Sequence, residues 1–317
     1  MQPILTVTLN PALDLAGSVP HVIPGPKLRV TDLTIEPGGG GINVARVIHR
    51  LGGPVTALAG LGGPAGDRIT RLLEAEGVRV RRLDVPGDTR ESLAITDSSD
   101  GQQFRFVLPG PEWEDTTVQS ALDAIVEAAP AGGWMVLSGS QPPGVPADFP
   151  QRLTRALAGQ RTRLVIDTSG DALAALYTSP QAESRPAVLR MDRAESEALA
   201  GRALNSAEES LTLASAMVDR GVASLVVLAR GAEGSVMAAE GMRLLATPPH
   251  VTVESAVGAG DSFTGAFTLA LFRGEAPAEA LRHGTAAAAA AVTTPASDLC
   301  HAADVVQLLA GCRVVAA

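Results

Sequence analysis

The chain has 317 residues, 46% apolar and 19% charged, with a net charge of −9; it can bury a sizeable core, in one large α/β domain or two small ones. The acidic balance argues against broad phosphate-backbone binding, because nucleic-acid binders carry a basic face. Two cysteines, Cys300 and Cys312, are too few for a disulfide framework or a zinc site, and the alanine run at 286–291 is too short to span a bilayer. A cytoplasmic protein with reduced thiols is therefore expected, with no membrane or nucleic-acid partner.

In chain order, strand-like apolar runs fall at 4–9, 55–61, 134–139, 163–167, 187–191 and 224–229. Amphipathic segments lie between them, among them 42–51 closed by Gly52, 67–76 closed by Gly77, and 116–129; further helices begin near 261, 277 and 301. Short buried strands alternating with helices predict a largely parallel sheet covered on both faces. Residues 12–36 and 87–108 break the rhythm, and the second reads as a hairpin around "SSDG". Together they predict a small sheet inserted into one main domain.

Ligands in open α/β sheets bind beyond the carboxyl ends of the strands, and most unusual residues fall there. "TLNPALD" delivers Asp14 after the first strand; "EPGGGGINVAR" sets Gly39 and Gly40 before a helix that carries Asn43; "VLSGSQPPG" adds Ser138, Gly139 and Ser140. In "SAVGAGDSFTGAFTLAL" a helix starts near Gly260 or Asp261, so the amides of Gly258, Ala259 and Gly260 form an anion hole beside the Asp261 carboxylate. From the residues alone, Asp261 is either an ordinary N-cap or part of a site. The inserted sheet carries Lys27, Arg29, Arg90 and Arg105, with 27 and 29 on one face if extended; these cations form either a phosphate clamp or a solvated basic face. Lys27 is the one lysine among 25 basic residues. The loose dinucleotide pattern "GLGGPA" at 60–65 is short, Lys27 does not lie in a Walker A loop, and the protein-kinase signature set is absent.

With these residues in view, the sequence resembles the ribokinase-like sugar kinases of the phosphofructokinase B branch. "PGGGGINVAR" looks like that family's first signature and "AVGAGDSFTGAF" like its second. "GPKLRV", "TRESL", "QFRFVLPG" and "VIDTSG" extend the similarity to the minor 6-phosphofructokinase type over nearly the whole chain. The resemblance implies a three-layer α/β/α domain with a small β-sheet lid, homodimeric through that lid. It implies ATP-dependent phosphorylation of fructose 6-phosphate to fructose 1,6-bisphosphate, with Mg²⁺ and a monovalent cation (K⁺) as cofactors. By the same resemblance Asp261 is the base, and Gly258, Ala259 and Gly260 stabilise the phosphoryl in flight. Asp14, Gly39, Gly40, Asn43, Ser138 and Gly139 hold sugar hydroxyls, and Lys27, Arg29, Arg90 and Arg105 hold the sugar phosphate. Arg190, Asp192, Ala229, Gly231, Gly234 and Ser255 meet the nucleotide, and Asp192 and Glu195 the metal. Arg190, Met191 and Asp192 stand where the family commonly has Lys-Pro-Asn, Ala229 where a hydroxyl is usual, and Ala256 where Thr is. The tail "TTPASDLC" departs from a more glycine-rich pattern near the cation site of Ser255 and Val257. Fructose 1-phosphate and tagatose 6-phosphate kinases share both signatures, and a catalytically weak sugar-phosphate sensor is the rival from another class.

Overall fold

The computed structural model describes residues 2–181, 185–295 and 298–317. Its strands are β1 (Ile4–Thr8), β2 (Ala12–Val19), β3 (Thr31–Gly38), β4 (Val55–Gly60), β5 (Arg79–Leu83), β6 (Arg90–Asp97), β7 (Gln103–Val107), β8 (Trp134–Ser138), β9 (Arg163–Asp167), β10 (Val188–Met191), β11 (Leu225–Ala229), β12 (Ser235–Ala239), β13 (Met242–Thr247) and β14 (Arg313–Ala316). The α-helices are α1 (Gly40–Arg50), α2 (Gly63–Ala75), α3 (Asp115–Ala128), α4 (Phe149–Leu157), α5 (Gly170–Thr178), α6 (Arg193–Ala200), α7 (Ala207–Asp219), α8 (Ala259–Phe272), α9 (Pro277–Ala291) and α10 (Ala302–Leu309).

The large sheet runs β14-β13-β12-β11-β10-β9-β8-β1-β4-β5. Pairing is parallel from β5 through β11 and antiparallel from β11 to β14. Because side chains alternate along a strand, each central strand feeds two cores. Leu5, Val7, Met135 and Leu137 join one with α3, α4, α5 and α7; Ile4, Trp134 and Val136 join the other with α1, α2, α8 and α9. This is a three-layer α/β/α fold. The expected strands and helices are present with ends shifted by a few residues. The antiparallel extension β12–β14 and the edge strand β5 lie outside those expectations: β5 is "RVRRL", whose arginines face solvent at the sheet edge and break the apolar run that would announce it.

A second sheet, ordered β3-β2-β6-β7, is built from the two irregular segments. β6 and β7 form the hairpin expected around "SSDG". Arg46 of α1, 3% exposed, donates to Glu76 beyond α2, to Glu36 and to the Pro37 carbonyl on β3, so α1 grips the base of this sheet. Lys27 and Arg29 are not on a strand: residues 20–30 form an exposed loop. Pro24 and Pro26 flank Gly25, whose φ is 107°, and prolines supply no ladder donors. No helix among the described residues is long and apolar enough to cross a membrane.

Candidate active site

The strand ends of the large sheet and the second sheet enclose one cleft. At its centre, α8 begins at Ala259 after Gly258, whose φ of 78° needs the left-handed region. Asp261 is thus the third helical residue and does not cap the helix. Its carboxylate instead accepts a hydrogen bond from Asn43 Nδ2 at 2.9 Å, tying α8 to α1. Burial pushes the Asp261 carboxyl up to about 7, the Asp167 charge adds to the rise, and the Asn43 amide opposes it. The result is a proton acceptor poised near neutrality beside the unpaired amides of a helix N-terminus.

On one side stands Asp14 of β2, raised above the usual carboxylate range by burial and partly restored by Arg90 and Arg105. The Arg90 guanidinium reaches the Asn10 carbonyl at 3.2 Å, and Asn10 Nδ2 reaches Ser140 Oγ at 3.2 Å. Asn10 therefore fastens the β6 arginine to the loop of Ser138, Gly139 and Ser140. The glycines before α1 serve packing as much as ligand access. A Cβ at Gly40 would lie 2.3 Å from Ser138 Oγ, and one at Gly38 would collide with the Asp14 carboxylate. Lys27 and Arg29 stay on their exposed loop.

On the other side, Arg190 at the end of β10 is 13% exposed and lies 3.3 Å from Asp167 at the end of β9. Asp167, absent from the sequence-derived residues, also accepts from Thr264 Oγ1 at 2.7 Å. Burial works against the charge of Arg190, but Asp167 and Glu195 outweigh it and hold its pKa above the ordinary value. Its Nε is buried without a hydrogen-bond partner among the described residues. The guanidinium lies against Gly260, where a Cβ would come within 2.8 Å of Nη1.

Beyond Arg190 opens a cavity of about 590 Å³ lined by Arg190, Asp192, Ala229, Gly231, Gly234 and Gly260, with Phe263 and Val292 among its apolar walls. Ser255 is not in its lining; its hydroxyl accepts from the Val257 amide. Asp192 Oδ1 accepts from Glu195 N at 2.8 Å and Glu195 Oε2 from Asp192 N at 2.7 Å, the reciprocal capping box of α6. Burial lifts Glu195 to about 7, with the Asp192 and Asp167 charges adding to the rise. A cation there would relieve that crowding, so the oxygen donors fit Mg²⁺. No three Asp, Glu, His or Cys side chains converge as metal ligands among the described residues, which suits an ion that keeps waters and takes phosphate oxygens. The tail at 293–300 includes residues 296 and 297, which lie outside the described residues.

Comparison with known proteins agrees with this layout. The chain is 38% identical over 302 residues to the ATP-dependent 6-phosphofructokinase isozyme 2 of Mycobacterium tuberculosis, covering 95% of this chain and 87% of that protein. It is 33% identical to the 1-phosphofructokinase of Escherichia coli, over 92% and 91% respectively. The crystal structure of phosphofructokinase-2 from Escherichia coli in complex with fructose-6-phosphate matches with a TM-score of 0.88 at 35% identity, over 98% of this chain and 99% of that one. Residues 10–303 match the pfkB family carbohydrate kinase domain, and the chain belongs to that family.

Proposed function

We propose that the protein transfers the terminal phosphoryl group of ATP to the 1-hydroxyl of fructose 6-phosphate. The observation that carries this reading is the Asp261 carboxylate, buried, bonded to Asn43, and influenced by Asp14 on one side and Arg190 on the other. A proton acceptor thus stands between the Asp14, Arg90 and Arg105 cluster and a cavity of about 590 Å³. In the reaction the hydroxyl oxygen attacks phosphorus, the bond to ADP breaks, and Asp261 receives the hydroxyl proton. Amides at the start of α8 and the buried Arg190 guanidinium face the charge that develops on the phosphoryl oxygens. Arg90 and Arg105 hold the 6-phosphate, with Lys27 and Arg29 reaching it from their loop. Asp14, Asn43 and the Ser138–Gly139 turn orient the sugar.

Glu195 and Asp192 would hold Mg²⁺, which would supply charge neutralisation on the nucleotide phosphates. Asp192 keeps the cap that an asparagine would also provide, and the α6 dipole offsets its charge. A monovalent cation beside Ser255 and Val257 belongs to this reading, tested by turnover in potassium against a bulky organic cation. The second sheet acts as the lid. Its exposed Leu33, Phe104 and Phe106 support pairing of two copies through that face.

Steady-state turnover with ATP and a panel of hexose phosphates tests the assignment. Highest kcat/KM on fructose 6-phosphate is expected; preference for fructose 1-phosphate or tagatose 6-phosphate would redirect the substrate. Binding without turnover would leave a sugar-phosphate sensor.

A further inference from the structure

A second cavity, of about 340 Å³, lies at the opposite pole of the large sheet from the cleft. It opens beneath the amino ends of β9, β10 and β11, where Arg161, Arg163 and Arg185 line it together with Thr162 and Ser224. Among the described residues, no aspartate or glutamate is in the lining and none of the three arginines is ion-paired. In a chain of net charge −9, three exposed guanidinium groups around one concavity, with no countercharge among the described residues, raise the positive potential there.

Two features hold the rim in place. Arg163 lies over the Trp134 ring at 4.5 Å and donates through Nη2 to the Gly132 carbonyl at 3.1 Å. Arg161 has a φ of 56°, a left-handed conformation that only one other non-glycine described residue, Asp32, shares. Arg161 takes this conformation as the left-handed cap that closes the 3-10 turn Ala158–Gln160. The volume is at the lower end of ligand pockets. It suits a phosphate with a short carbon chain.

We propose that this cavity is a second anion site, separate from the catalytic cleft, that binds a phosphate group carried by a small metabolite or free in solution. Arginine forks match phosphate oxygens bidentately, and the Ser224 hydroxyl adds a donor. The strand β9 separates the two sites: Arg163 begins it and Asp167 ends it, about 13 Å apart at the rise of an extended chain.

The chain contains two tryptophans, so indole NH signals in ¹⁵N-labelled protein give a readout independent of activity. Titration with inorganic phosphate and with glycerol 3-phosphate should shift the Trp134 signal saturably, because Arg163 sits on that ring. The double variant Arg161→Asn, Arg185→Gln should weaken this binding by roughly tenfold or more, as loss of charge-assisted hydrogen bonds implies. Asparagine tolerates the left-handed backbone at 161, and turnover should be unchanged. Tighter binding of the ester assigns the site to a phosphorylated metabolite, and equal binding assigns it to free phosphate. The proposal is overturned if neither anion moves Trp134, or if the double variant titrates like the parent. It stands whether or not fructose 6-phosphate proves to be the acceptor, since its readout involves no catalysis.

Discussion

Replacing Asp261 by asparagine should move activity and stability in opposite directions. The folded protein holds the Asp261 carboxyl near 7 against an ordinary value of 3.8. The fold therefore favours the protonated form. Stability contributed by that proton is present at low pH and is lost as pH rises from about 4 through about 7. A difference of roughly 3 units corresponds to about 4 kcal/mol at pH 8 as an upper bound. For a chain of this length, about 4 kcal/mol translates to a rise in Tm of up to ~6 °C. Asparagine carries no such charge and can still accept from Asn43, so Asp261→Asn should melt higher than the parent at pH 8 and alike near pH 4. Turnover should fall by about 10²–10⁴ through loss of the general base. In the parent, kcat/KM should drop to about one fifth between pH 7 and pH 6, as a base titrating near 7 requires. Thermal denaturation across pH 4–8 and steady-state kinetics measure both sides. An unchanged melting temperature at pH 8, or near-parental turnover, would refute the buried-base reasoning.

Arg90→Ala and Arg105→Ala should each raise the KM for the sugar phosphate by roughly 10–100-fold with a smaller change in kcat; unchanged KM values would return them to a solvated face. Asp192→Asn should leave stability within a few tenths of a kcal/mol and Asp192→Ala should lose about 1 kcal/mol, read by urea denaturation; equal losses would deny the cap. Phe106→Asp places a charge on the apolar outer face of the second sheet and should convert the proposed dimer to a monomer by light scattering, and an unaltered mass would move the interface elsewhere.

Much of this fold is legible in the sequence because the central strands β1, β4, β8, β9, β10 and β11 are short apolar runs buried on both faces. The edges are less legible. β5 is written in arginines, and β12 to β14 form an antiparallel extension whose moderate hydrophobicity resembles a loop rich in alanine. In the cleft, glycine clusters and the isolated acids Asp14 and Asp261 are conspicuous. Asp167 is not, because an acid closing "RLVID" looks like any strand end until Arg190 and Thr264 are brought to it. The Asp192–Glu195 cap was readable as D-x-x-E, a pattern that signals a helix start whatever else the residues do. Lys27 and Arg29 show the opposite failure: alternation suggested a shared strand face, and two prolines in four residues prevent the strand.

The contact of Arg190 with Gly260 makes the two positions a single heritable unit. Elsewhere in a first helical turn, glycine to alanine is a favourable step of up to about 1 kcal/mol. Here the added methyl would come within 2.8 Å of Arg190 Nη1, so with arginine at 190 that step requires the guanidinium to move away from its contact with Asp167. A mutant library that varies residue 260 alone should be enriched in glycine, whereas one that varies 190 and 260 jointly should show more alanine or serine at 260 wherever 190 has become small.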